Sequence, residues 1–179
     1  IESTPGVPVS ASDVMTTPRL TQLGSDGDLQ ISAGFLSQPL QEIQEHGLLV
    51  VQDESNWIRF DAAFTPAGLK LIIGVVENGS TTYPFVTRRY DQSDLEHLRV
   101  TRSNDDFSFE ISSDGNTWTE VHTLTHVMTV TEVGVFAGSA KSGGIVPGYT
   151  AQIDYFESSA DPLTNEDGTI VPPTNQVPD

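Results

Sequence analysis

Hydrophobic positions recur at every second residue along most of this chain. In residues 106–112, "DFSFEIS", Phe107, Phe109 and Ile111 share one face while Ser108, Glu110 and Ser112 share the other. Leu98 and Val100 oppose Arg99 and Thr101 in the same way. This period predicts strands over residues 28–36, 47–52, 56–64, 69–76, 81–87, 96–102, 106–112, 117–123, 132–138 and 149–157. Residues 38–46 have room for one short helical turn. Two tight hairpins are signalled by Asn78-Gly79 and Asp114-Gly115, pairs that tolerate positive φ. "LLVV" at 48–51 and "LIIGVV" at 71–76 are apolar on both faces, the pattern of strands covered on two sides. The expected fold is all-β, two antiparallel sheets packed face to face.

Composition adds boundaries. Residues 1–12 are rich in Pro, Ser and Thr, and residues 159–179 in Pro, Asn and Asp, so both read as linkers or extended tails flanking a domain at 13–158. The opening "IESTPGVPVS" carries neither an initiator Met nor a basic-then-apolar leader. A piece of a longer, exported bacterial protein is expected, with its signal upstream and neighbouring domains on the same polypeptide.

Charge excludes whole classes of partner. With 25 acidic and 8 basic residues the formal net charge is −17, which repels nucleic acid and anionic membrane surfaces. There is no cysteine, hence no disulfide and no thiolate chemistry. No apolar run approaches the roughly 20 residues that span a bilayer.

The series "DVMTTPRLTQ" (13–22), "HGLLVVQDESNWIRFD" (46–61), "LRVTRSNDDFSFEISSDGNTWTEV" (98–121), "VGVFAGSA" (133–140) and "AQIDYFE" (151–157) resembles the concanavalin A-like lectin/glucanase superfamily. More narrowly it is similar to laminin-G-like jelly-roll domains of bacterial secreted proteins, which often adjoin glycoside hydrolase domains. The resemblance implies a jelly-roll β-sandwich. In catalytic relatives a Glu-x-Asp-x-x-Glu strand supplies the two carboxylates that glycoside hydrolysis needs. That motif is absent here, which implies a non-catalytic relative. The resemblance also implies a structural Ca²⁺, for which Asp26, Asp28 and Asp154 are the candidate ligands, with Asp105 and Asp106 as further candidates.

Three groups of residues are candidates for binding polysaccharide. If Ile58 and Phe60 face between the sheets, Trp57, Arg59 and Asp61 face outward together. An indole beside charged groups suits the C–H face and hydroxyls of a sugar, and it equally suits packing under a loop. Trp118 is expected to share a face with Glu120 and His122, either as a contact or as a cover on its hairpin. Tyr83, Arg89 and Tyr90 form an aromatic and cationic cluster that can bind glycan hydroxyls or balance local charge. The functional expectation is a carbohydrate-binding module tethering a larger secreted protein, with a calcium-stiffened adhesive spacer and an unrecognised glycoside hydrolase as alternatives.

Overall fold

The structure is a computed structural model that describes residues 1–4, 16–87, 90–139 and 146–160. It contains thirteen strands: β1 (Glu2–Ser3), β2 (Arg19–Leu23), β3 (Leu29–Phe35), β4 (Gln44–Asp53), β5 (Asn56–Thr65), β6 (Gly68–Glu77), β7 (Ser80–Val86), β8 (His97–Ser103), β9 (Asp106–Ser112), β10 (Thr119–Thr125), β11 (Glu132–Ser139), β12 (Tyr149–Thr150) and β13 (Ile153–Ser158). One 3-10 turn spans Gln92–Leu95. There is no α-helix among the described residues.

Six strands form one sheet in the order β2-β11-β4-β5-β6-β7, and five form the other, β10-β9-β8-β3-β13. All pairings are antiparallel. The chain alternates between the sheets, from β2 to β3, back to β4, across to β8 after the β4-to-β7 meander, and back again to β11. That alternation makes the sandwich a jelly-roll. Between the sheets, the alternate residues Leu48 and Val50, Ile58 and Phe60, and Leu71 and Ile73 meet Ile31, Leu98, Val100, Phe107 and Phe109. Phe60 and Phe109 touch edge to face across the gap, centroids 5.3 Å apart.

Every expected strand is present, with one division: residues 149–157 break at Ala151-Gln152 into β12 and β13. Two strands carry no burial pattern that could announce them. Strand β2 is a largely exposed edge. Strand β1 lies inside the segment expected to be a linker or extended tail, where it pairs with β12 and Ser3 is buried. Residues 5–12 and 161–179 of the two expected linkers or tails lie outside the described residues. The turn residues behave as their chemistry requires, with Asn78 at φ 49°, Gly79 at φ 76° and Gly115 at φ 69°.

Four register shifts re-aim side chains, one of them in β4 between Val51 and Asp53. In β7, Tyr83 and Pro84 together oppose Gly74, because Thr82 pairs with Val75 and Phe85 with Ile73. In β13, Asp154 is the extra residue, and Tyr155 thereby pairs with Gly34. In β10, the register shifts between Glu120 and His122. This last bulge corrects the expected face of His122: it leaves Glu120 outside and turns His122 inward, where it stacks on Phe85 at 4.9 Å.

Candidate functional site

Strand β5 alternates as expected. Ile58, Phe60 and Ala62 face the core, and Trp57, Arg59 and Asp61 face the other side of the six-stranded sheet. The outward set is nevertheless buried. Trp57 is 1% exposed and packs with Leu49, Val51, Val76 and Phe136 in a second apolar cluster on that face. It therefore offers no open stacking surface. The doubly apolar "LLVV" and "LIIGVV" runs have their explanation here, since β4 and β6 line this cluster as well as the core.

Register brings the polar members together. Arg59 lies between Leu49 and Gly74, and Asp61 between Gly47 and Ile72. Both glycines are required by space. A Cβ on Gly47 would fall 2.6 Å from Asp61 Cα, and one on Gly74 would fall 2.9 Å from Arg59 Nε. Arg59 Nη1 donates to Glu45 Oε1 at 2.9 Å, and its Nε is 3.4 Å from Asp61 Oδ1. The guanidinium also lies 5.8 Å from the Tyr83 ring centroid, placed there by the bulge opposite Gly74.

Asp61 is fully buried, and neither carboxyl oxygen accepts a hydrogen bond from a described residue. Burial pushes its pKa up to about 8, against the attraction of Arg59 and with the repulsion of Glu45. Desolvation disfavours the Arg59 charge, but Asp61 and Glu45 outweigh it and hold the guanidinium protonated. Glu45 is the nearer carboxyl group to the Arg59 guanidinium, at 2.9 Å against 3.4 Å for Asp61.

Beside this cluster a groove of about 370 Å³ opens on the same face. Arg59 and Glu45 line it together with Ile43, Phe64, Ile72 and Tyr83. Tyr83, 48% exposed, forms its rim. The groove thus joins apolar walls, a buried ion pair and one accessible aromatic.

The remaining expected residues lie elsewhere. Tyr90 packs partly buried against the core and donates its N–H to Leu69 O. Trp118 is on the outward face of the opposite sheet, with Arg99 Cζ 4.1 Å from its ring centroid. Arg89 lies outside the described residues. Asp26 accepts hydrogen bonds from Arg102 Nη1 and Val130 N, both at 3.0 Å, and Asp28 accepts from Asn104 N at 2.8 Å. Asp154 is at the far end of β3 from Asp28, where Ile153 pairs with Phe35. A seven-residue strand separates them by roughly 20 Å, so the three cannot ligate one ion. Among the described residues no three His, Asp or Glu side chains gather to hold a metal.

Comparison places this architecture. Residues 10–160 match the model of a family described as protein of unknown function (DUF1349). The chain belongs to this DUF1349 family. No curated protein matches it. Among solved structures, the GH43 BlXynB protein from Bacillus licheniformis superposes with a TM-score of 0.70 at 14% identity, over 88% of this chain and 32% of that one. Xylan beta-1,4-xylosidase from Bacillus halodurans C-125 gives 0.67 at 16%, over 84% and 31%. The CBM2 module of the evolved Dit of Lactobacillus casei BL23 phage J-1 gives 0.52 at 9%, over 77% and 67%. These likenesses agree with the β-sandwich fold of this DUF1349 chain. The chain spans about a third of the length of the first two proteins.

Proposed function

We propose that this DUF1349 sandwich is a non-catalytic carbohydrate-binding module of a larger exported protein, and that it takes neutral oligosaccharide in the groove on the six-stranded sheet. The observation that carries this reading is the seating of the Arg59–Glu45 pair beneath exposed Tyr83 between apolar walls. Such a trough offers ring stacking and hydroxyl hydrogen bonds at once. The names of the structural neighbours, two proteins of xylan or GH43 type and one CBM2 module, support a carbohydrate setting. Burial argues against Asp61 as a catalytic carboxyl, since it is 0% exposed and has no access to a scissile bond.

Calorimetric titration with soluble xylo- and gluco-oligosaccharides tests this. Saturable binding is expected, weakened about tenfold by Tyr83→Ala with an unchanged melting temperature, since that side chain is half exposed. The absence of saturable binding across the panel would select the second reading, an adhesive spacer, which the full burial of Trp57 favours. Repeating the titration with Ca²⁺ and with EDTA tests the ion that the sequence resemblance implies. An identical curve and melting temperature would remove it.

A further inference from the structure

Five positions form one row across the outward face of the five-stranded sheet. Ser112 pairs with His97, His97 with Gly34, and Gly34 with Tyr155. Trp118, one residue before Thr119 and its partner Ile111, falls opposite Ser112. Large and small residues therefore alternate from edge to edge: Trp118, Ser112, His97, Gly34, Tyr155.

The rings close over the small residues between them. His97 and Tyr155 have centroids 5.8 Å apart, and His97 Nδ1 is 3.1 Å from the Tyr155 hydroxyl. His97 and Trp118 meet at 6.5 Å. A Cβ on Gly34 would lie 2.7 Å from Tyr155 Cε1 and 3.1 Å from His97 Nδ1, so any side chain there would displace the stripe. Without the bulge at Asp154, Tyr155 would face the core instead. All three rings are only partly buried.

The neighbouring row is polar, running Glu120, Glu110, Arg99, Ser32, Glu157. Arg99 binds Glu110 through Nε and Nη2, both at 2.6 Å, while its guanidinium rests on Trp118. Farther along the same face, Thr101, Ser108 and Thr123 line a shallow depression of about 450 Å³. A Tyr covering a Gly on a sheet is a common packing device, and it accounts for Tyr155 over Gly34. It does not account for two further rings that continue the stripe to the opposite edge.

We propose that this face is a second binding surface, for an uncharged polysaccharide chain laid across the strands along Trp118, His97 and Tyr155. An aromatic stripe bordered by a hydrogen-bonding row complements a pyranose, which has an apolar C–H face and a hydroxyl rim. Charge selects the class of polymer. The chain carries −17, and Glu120 and Glu157 of the bordering row have no cation beside them in the sheet pairing, so polyanionic glycans are repelled. This surface is on the opposite sheet from the groove and does not depend on it.

The test is acrylamide quenching of tryptophan fluorescence in the full chain, with and without hydroxyethyl cellulose or arabinoxylan. Acrylamide reaches partly exposed Trp118 and not buried Trp57, so protection by polymer reports on Trp118. Saturable protection is expected, and Trp118→Ala and Tyr155→Ala should each weaken retention on the polymer about tenfold. Tyr155→Phe, which keeps the ring, should retain it at the wild-type level. Quenching unaffected by polymer, or wild-type retention by Trp118→Ala, overturns the proposal. Retention lost with Tyr83→Ala and kept with Tyr155→Ala also overturns it, assigning the polymer to the groove.

Discussion

Trp57→Ala is expected to lower the free energy of unfolding by about 4 kcal/mol, with a fall in melting temperature of roughly 10 °C. The indole is 1% exposed and fills the space among Leu49, Val51, Val76 and Phe136, so truncation leaves a cavity that two flanking strands cannot collapse into. Its Nε1 has no hydrogen-bond partner among the described residues. Trp57→Phe should accordingly cost far less, about 1 kcal/mol, because it removes an unsatisfied donor while keeping most of the ring. Urea denaturation of both variants checks this. A loss below about 1 kcal/mol for the alanine variant would show that the indole is not packed as described and is free to meet a ligand.

The second large effect depends on pH. Unfolded, an Asp titrates near 3.9; folded, burial carries Asp61 to about 8. Between these values the folded chain holds a proton that the unfolded chain has released. This residue therefore withdraws stability as pH rises from about 4 to about 8, and changes nothing further above that range. Asn cannot ionise, so Asp61→Asn should match wild type near pH 4 and gain on it by an amount on the order of 5 kcal/mol at pH 9. His46 acts in the opposite sense. Burial lowers its pKa to about 3, against Phe35 on one side and the Tyr149 hydroxyl at 2.7 Å from Nδ1. It withdraws stability as pH falls from about 6.5 toward 3. The two slopes oppose one another over the overlap, and the Asp61 loss stands alone above it. Urea midpoints of wild type and Asp61→Asn at pH 5, 7 and 9 measure this. A difference between the two proteins that stays constant with pH would show that Asp61 is ionised throughout.

Alternation alone was enough to place Trp57, Arg59 and Asp61 on one face, and Phe107, Phe109 and Ile111 in the core. Burial of the first set was not legible, because apolar residues on both faces of β4 and β6 say that a strand is covered without saying which residue lies under the cover. Glu45 was missed first because it falls in residues 38–46, read as room for a helical turn, whereas β4 begins at Gln44. Pairing Asp53 with Asn56 and counting back along the hairpin puts Leu48 opposite Asp61, but the register shifts between Val51 and Asp53, so Gly47 is the true partner. One extra residue moved Glu45 next to Arg59. The same physics hid the aromatic stripe, since period 2 through "AQIDYFE" turns Tyr155 away from Gly34 until Asp154 is bulged out. Hairpins without bulges were readable throughout: β8 and β9 keep one register from Ser103–Asp106 to His97–Ser112.

The proline in β7 bears on how this molecule behaves in company. Strand β7 is a free margin of the six-stranded sheet, and Pro84 interrupts it at the bulge with no N–H to offer. A second chain laid along that margin finds a broken ladder, and the −17 charge of each copy opposes its approach. The interruption that lifts Tyr83 over the groove thus also blunts edge-to-edge pairing of two copies along this margin.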